Sequence, residues 1–337
     1  MFKYLKQNTY NYLLFFAIVV TASIFTPTAN AITLIPASLD LELIPGQAVD
    51  RVIKLFNETS NTVELYTEVV NFTVKDDTGQ PSFDFTSERV GLSAWIQVEK
   101  GPIIIESGKR EEVPVIISPP LNADPGGYYA ALFFVSAPPE KKQVKIVSKI
   151  GTLVLANVDG EVLKQGAISE FIVEDGRKMF NHLPTDFTGW FKNLGNVHLK
   201  PTGYIKINNL FGKTVDLIEF NPSHGVTMPE VTRKYNIIWK KGTVNNISGN
   251  MWLKFWKECS NEKNNFGFGK YTAYLNVVTG TKGMVSDNLK VTFWVLPWRV
   301  LLIWFLVIMI GVFLLVYSLK KYNRWIIKNS KKSLREK

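Results

Sequence analysis

The chain has 337 residues, 39 Lys and Arg against 29 Asp and Glu, three histidines and one cysteine. A formal charge of +10 suggests nucleic acid, but eight basic residues lie after Leu319 and two before residue 10, which leaves 29 basic and 28 acidic residues between Ile32 and Leu319. That near-neutral middle excludes a nucleic-acid surface, and a single cysteine excludes an intramolecular disulfide, so the middle must fold on apolar packing alone.

The first element is an apolar run, Leu13 to Phe25, preceded by Lys3 and Lys6 and followed by Ala29-Asn30-Ala31. A basic start, a short apolar stretch and an A-x-A site predict a secretory signal peptide over residues 1–31, with Ala29 and Ala31 as the cleavage residues. From Ile32 the texture is β throughout. Leu39-Asp40-Leu41-Glu42-Leu43, Val52 to Phe56 and Val63 to Val69 alternate apolar and polar residues between Gly, Pro, Asn and Ser turns. Runs of this length at close spacing predict all-β sandwiches or barrels, and no amphipathic helix is expected before Val300. Asp76-Asp77-Thr78-Gly79 reads as a hairpin turn, since a calcium site needs six to eight oxygens that nothing nearby supplies.

An internal repeat sets the domain count. Gly127-Tyr128-Tyr129-Ala130-Ala131 and Gly269-Lys270-Tyr271-Thr272-Ala273 both read G-x-Y-x-A at the head of an apolar strand. Upstream, Phe56-Asn57 and Phe191-Lys192-Asn193 each run into an Asn-rich turn, at a similar distance from the tyrosine strand. Two matches in one order predict two copies of an immunoglobulin-like sandwich, at 32–164 and 165–299. Tyr129 and Tyr271 would be the corner tyrosines, with Ala131 and Ala273 facing the two cores. The chain then carries twenty residues without a formal charge, Val300 to Leu319, enough to cross the roughly 30 Å core of a bilayer. The basic tail 320–337 predicts a cytoplasmic C-terminus and an extracellular ectodomain, with Trp298, Tyr317, Tyr322 and Trp325 as interfacial anchors.

The catalytic inventory is poor. His182, His198 and His224 have no metal-ligand spacing, and no nucleophile elbow, phosphate loop or dinucleotide fingerprint occurs. Cys259 reads as a bystander thiol, so no enzyme, cofactor or metal is expected. An enzyme would need paired carboxylates facing one cleft, for which Asp216, Glu219 and Glu230 are the candidates. The most unusual stretch runs from Trp239 to Phe268, where Trp239, Trp252, Phe255 and Trp256 are interleaved with lysines and asparagines. Trp239, Trp252 and Trp256 are the candidate ligand surface, because planar aromatics beside amides stack on sugars or anchor a protein partner. The bland alternative is that they fill the second core.

Pro36 to Gln47, Val52 to Thr59 and Pro119 to Phe134 resemble the first domain of the WxL-interacting protein family, bacterial surface proteins with a signal peptide, two β-sandwiches, one membrane helix and a short basic tail. The resemblance covers about residues 32–160. It implies a first domain associated with peptidoglycan, a second associated with partner proteins, and no catalytic residues. The sequence reading is therefore a single-pass, non-enzymatic cell-surface protein that holds cell-wall polymer or a surface protein. Its alternative is a membrane-tethered chaperone or scaffold for exported subunits, working by strand addition at open sheet edges.

Overall fold

The computed structural model describes residues 31–136, 148–184, 186–239, 242, 244, 246–279, 284–285 and 289–333. The signal-peptide reading falls outside them except for Ala31, whose carbonyl accepts the Glu58 N–H at 3.0 Å. The chain divides into two compact units, Met1–Thr73 with Ser82–Glu161 and Val74–Pro81 with Val162–Lys337.

The first sandwich is built from β1 (Ile32–Ile35), β2 (Ser38–Leu43), β3 (Val49–Asn57), β4 (Val63–Val74), β5 (Pro81–Asp84), the one-turn helix α1 (Leu92–Trp95), β6 (Ile96–Val98), β7 (Ile103–Ile105), β8 (Arg110–Ile117), β9 (Gly126–Val135) and β10 (Lys149–Val158). One sheet has the order β1-β3-β8-β6 and the other β2-β10-β9-β4-β5, with β7 on β4. The leading segment changes sheets: β1 lies antiparallel to β3, and β2 lies parallel to β10. Alternation does the rest. Leu39, Leu41 and Leu43 of β2 point inward with Ile53 and Leu55, and Asp40 and Glu42 point out. At Asp76–Gly79 the predicted turn is present, with Asp76 Oδ1 accepting the Thr78 N–H at 3.0 Å.

The second sandwich repeats the plan with β11 (Gly166–Val173), β12 (Met179–Phe180), β13 (Asp186–Asn193), β14 (Thr202–Asn208), β15 (Thr214–Glu219), β16 (Thr232–Ile238), α2 (Met251–Asn264), β17 (Gly269–Thr279), β18 (Met284–Val285) and β19 (Leu289–Val295), followed by α3 (Trp298–Ser333). Its sheets are β11-β13-β16 and β12-β19-β17-β14-β15, with β18 on β17. Here β11 is antiparallel to β13 and β12 parallel to β19, the same change of sheet. Both units are immunoglobulin-like β-sandwiches.

The repeat extends to single atoms. Asn57 and Asn193 are fully buried at the ends of β3 and β13. Asn57 Nδ2 donates to the carbonyls of Asn61 (2.8 Å) and Ile105 (2.9 Å), and its Oδ1 accepts the Thr59 N–H (3.0 Å). Asn193 donates to Val197 (2.8 Å) and Thr227 (3.0 Å) and accepts the Gly195 N–H (2.9 Å). Each amide closes its turn and ties it to a second loop, satisfying backbone groups that burial would otherwise strand.

Two sequence expectations are corrected. The first corner tyrosine is Tyr128: its hydroxyl donates to the Asp124 carbonyl at 3.0 Å, and Tyr129 turns outward onto Phe72. Gly126, at φ 147°, corresponds to Gly269, at φ 95°, so the matching triplets are Gly126-Tyr128-Ala130 and Gly269-Tyr271-Ala273. A one-residue slip reverses the face of every side chain, so Ala130 rather than Ala131 lies in the first core cluster. Tyr271 is buried and stacks on Phe293 with centroids 5.7 Å apart. The second correction is α2, a helix of 14 residues where none was expected.

Candidate functional site at the helix junction

The three tryptophans chosen from the sequence separate. Trp239 is 3% exposed, packs on Phe187 and Phe293, and donates its indole N–H to Asp216 Oδ2 at 2.7 Å. It belongs to the second core, as β16 alternation carried past Ile237 requires. Trp252 and Trp256 lie on α2, are 69% and 48% exposed, and meet edge to face at 5.7 Å. Their spacing is helical: Trp252, Trp256, Cys259 and Lys263 fall on one face, which is why no strand parity accommodates them.

The asparagines of this region build the helix. Asn250 is the N-cap, its side chain accepting the Leu253 N–H at 2.9 Å. Asn265 ends the helix, bonding its N–H to the Asn261 carbonyl at 3.0 Å and accepting the Leu183 N–H at 2.9 Å. Asn261 and Asn265 are buried. Lys257 reaches back to the Ser248 carbonyl at 2.8 Å. The Asn250 amide and Lys257 thus act on the backbone rather than beside the tryptophans; Asn245, Lys240 and Lys241 lie outside the described residues.

The centre of the junction is Glu262, a carboxylate with no exposure. Its Oε2 accepts the backbone N–H groups of Arg299 and Val300, each at 3.0 Å, and its Oε1 accepts from the Arg299 guanidinium at 2.9 Å. Arg299 also pairs with Glu258, one turn earlier on α2. The first four N–H groups of a helix have no partner within it. In α3 all four are satisfied: Trp298 by the Leu296 carbonyl (2.8 Å), Arg299 and Val300 by Glu262, and Leu301 by the Pro297 carbonyl (3.0 Å). A carboxylate there also meets the positive end of the helix dipole. The sequence signal was available in Glu258 and Glu262 at i, i+4 with Arg299 opening the next helix, but it is visible only if 251–264 is read as a helix.

Trp298–Ile326 of α3 is long and apolar enough to cross a bilayer, with a mean hydropathy of 3.0 over an 18-residue window of which no residue is buried. Between α2 and its first turns lies a cleft of about 480 Å³ lined by Trp256, Cys259, Ser260, Lys263, Val300, Ile303 and Trp304. Cys259 is buried, and burial together with the neighbouring Glu262 pushes its thiol pKa up, away from the reactive thiolate. On the other side of Glu262 a smaller recess of about 270 Å³ includes Glu174, Arg177 and His182. His182 Nδ1 lies 2.8 Å from the Leu183 carbonyl.

Two of the enzyme candidates, Asp216 and Glu219, do not face one cleft. Asp216 and Glu219 are three residues apart on β15 and point to opposite faces, and Asp216 is committed to Trp239. Among the described residues no group of three His, Cys, Asp or Glu is placed to hold a metal ion.

No family model matches the sequence, and no curated protein matches it. Solved structures with a similar arrangement include the class 5 fimbriae chaperone CfaA (10% identity, TM-score 0.37, covering 79% of this chain and 100% of that one). Another is the E. coli chaperone DraB (11%, TM-score 0.32, 78% and 96%). A third is a chain from the complex of Salmonella enterica SafA pilin with the SafB chaperone (8%, TM-score 0.33, 80% and 99%). A likeness of this size assigns no function.

Proposed function

We propose that the protein is a non-enzymatic, membrane-anchored scaffold whose two immunoglobulin-like sandwiches hold exported protein subunits at the outer membrane face. The observation that carries this reading is the junction. Glu262 and Glu258 bind the first turn of α3 through buried bonds, so a load on the second sandwich passes to the anchor through a folded connection rather than a flexible linker. The excess of Lys and Arg after Leu319 supports a cytoplasmic tail.

Protein, rather than cell-wall polymer, is the partner the first sandwich suits. Its one tryptophan, Trp95, is packed on Tyr128 at 4.6 Å. Its phenylalanines Phe72, Phe83 and Phe133 pack against one another, and the half-exposed ring of Phe85 lies under the Lys149 ammonium, 3.9 Å from its centroid. A sugar platform would need a free aromatic face beside amides or carboxylates. By contrast, Val52 and Pro114 are direct cross-strand partners on the outer face of the other sheet, with Ile116 beside them, all exposed. Contiguous apolar surface of this kind is what protein partners cover.

The test is a photo-crosslinking amino acid at Val52 on intact cells, with Lys54 as the control position. Crosslinks to an exported protein that vanish with Ile116→Lys support the scaffold. Adducts that dissolve only after digestion of the wall polymer, or protease digestion of the tail from outside the cell, overturn it.

A further inference from the structure

The cleft between α2 and α3 is made from two kinds of wall. Trp256, Cys259 and Lys263 belong to a helix of the sandwich, whereas Val300, Ile303 and Trp304 belong to the first turns of the apolar span. At about 1.5 Å per residue, Trp304 lies only about 9 Å along the axis from Trp298, so the cleft opens where span meets interface. Whatever fills it must come from the medium that bathes α3.

The same end of the second sandwich is ringed with uncovered apolar side chains. The β14–β15 turn places Leu210 beside Gly269, the first residue of β17, and Gly269 pairs with Val295, three residues before α3 begins. Phe211 on that turn is 88% exposed, Phe268 beside Gly269 is 60% exposed, and Trp252 extends the α2 face beyond the cleft. Water is an expensive neighbour for such a ring. A bilayer interface is a favourable one, since indole and phenyl rings concentrate at headgroup depth. Cationic Lys263 lines the same cleft as Trp256, Val300, Ile303 and Trp304, a positive charge beside apolar walls, which are the two features that a phospholipid's phosphate and acyl chain require.

We propose that this cleft is a binding site for one outer-leaflet glycerophospholipid, its acyl chain seated between α2 and α3 and its phosphate at Lys263. This rests on the reading of α3 as a membrane anchor. The volume, about 480 Å³, lies within the roughly 300–1,000 Å³ of small-molecule sites. The polar groups of the lower α2 face are already used, because Glu258 and Glu262 are bound to Arg299. A headgroup therefore meets Lys263 rather than a free carboxylate. Cys259, with its thiol held neutral, presents an apolar wall.

The experiment uses the full chain in nanodiscs of phosphatidylcholine and phosphatidylglycerol doped with a phospholipid carrying a diazirine near the top of one acyl chain. Irradiation followed by peptide mapping is expected to label residues 256–263 as well as α3. Ser260→Trp, which fills the cleft, is expected to reduce labelling of 256–263 at least fivefold while labelling of α3 beyond Ile308 stays unchanged. Lys263→Glu is expected to lower labelling by the phosphatidylglycerol probe more than by the phosphatidylcholine probe. Label on α3 but none on α2, or equal α2 labelling in Ser260→Trp, overturns the lipid site and leaves the anchor standing. An unlabelled α3 overturns the anchor itself.

Discussion

Replacing Glu262 with alanine removes one side chain, unpairs the backbone N–H groups of Arg299 and Val300, and leaves the Arg299 guanidinium with Glu258 alone. Breaking a buried ion pair by deleting one partner costs about 3–5 kcal/mol. The lower end applies, because Arg299 keeps Glu258 and its side chain is 13% exposed. About 3 kcal/mol at about 1.4 kcal/mol per decade is roughly a hundredfold in an equilibrium. The quantity to watch is local opening of α2 from α3, read by hydrogen exchange of the amides in 251–264 on the full chain in nanodiscs. Exchange there is expected to rise about a hundredfold in Glu262→Ala. In Glu262→Gln, which keeps an acceptor for the two N–H groups but loses the charge, it is expected to rise about tenfold, since bonds to charged groups are worth about 1.5–3 kcal/mol. Amides of β13 and β17 should change little, because the sandwich core does not depend on the pair. A rise of less than threefold in α2, or an equal rise across the whole second sandwich, refutes the claim that Glu262 clamps the anchor.

Three further outcomes follow from the packing and the buried amides. Asn193→Ala strands the Val197 carbonyl and the Gly195 N–H and leaves the Thr227 carbonyl with the Leu199 N–H alone, and should destabilise the second sandwich by about 2–3 kcal/mol, measured as a loss of exchange protection confined to that unit; Asn57→Ala should do the same to the first alone. Trp239→Ala empties part of a packed core and should cost about 3–5 kcal/mol in thermal unfolding, whereas Trp252→Ala, on an exposed helix face, should change stability by no more than about 0.5 kcal/mol. Burial raises the Cys259 pKa above the ordinary 9.0, so the folded state favours the neutral thiol. Its contribution is full below that ordinary value and is lost as pH rises above it, because only the unfolded thiol ionises freely there. Alkylation of the native protein by iodoacetamide at pH 9 should accordingly be much slower than that of the urea-unfolded chain; equal rates would show that the thiol is not buried.

The sequence by itself determined what local patterns can determine. Two-residue alternation bounded by turns defined the sandwich strands, and an uninterrupted apolar run of one bilayer's length defined the α3 span. The duplicated Asn and Tyr positions disclosed the repeat, because a buried turn-closing amide and a corner tyrosine each need one residue type at one place. Parity was less secure: with Gly126-Gly127 and Tyr128-Tyr129 adjacent, either member of each pair satisfies the same pattern, and only the register of β9 against β10 chooses. Helix α2 was missed because aromatic residues favour strands locally, while its N-cap at Asn250 and its buried Glu262 gain their value from contacts made far along the chain. Whether Trp239 or Trp256 faces solvent, and whether Glu262 finds Arg299 some 37 residues away, are outcomes of packing. Burial and ion pairing depend on what lies across space, and the tertiary structure alone brings those groups together.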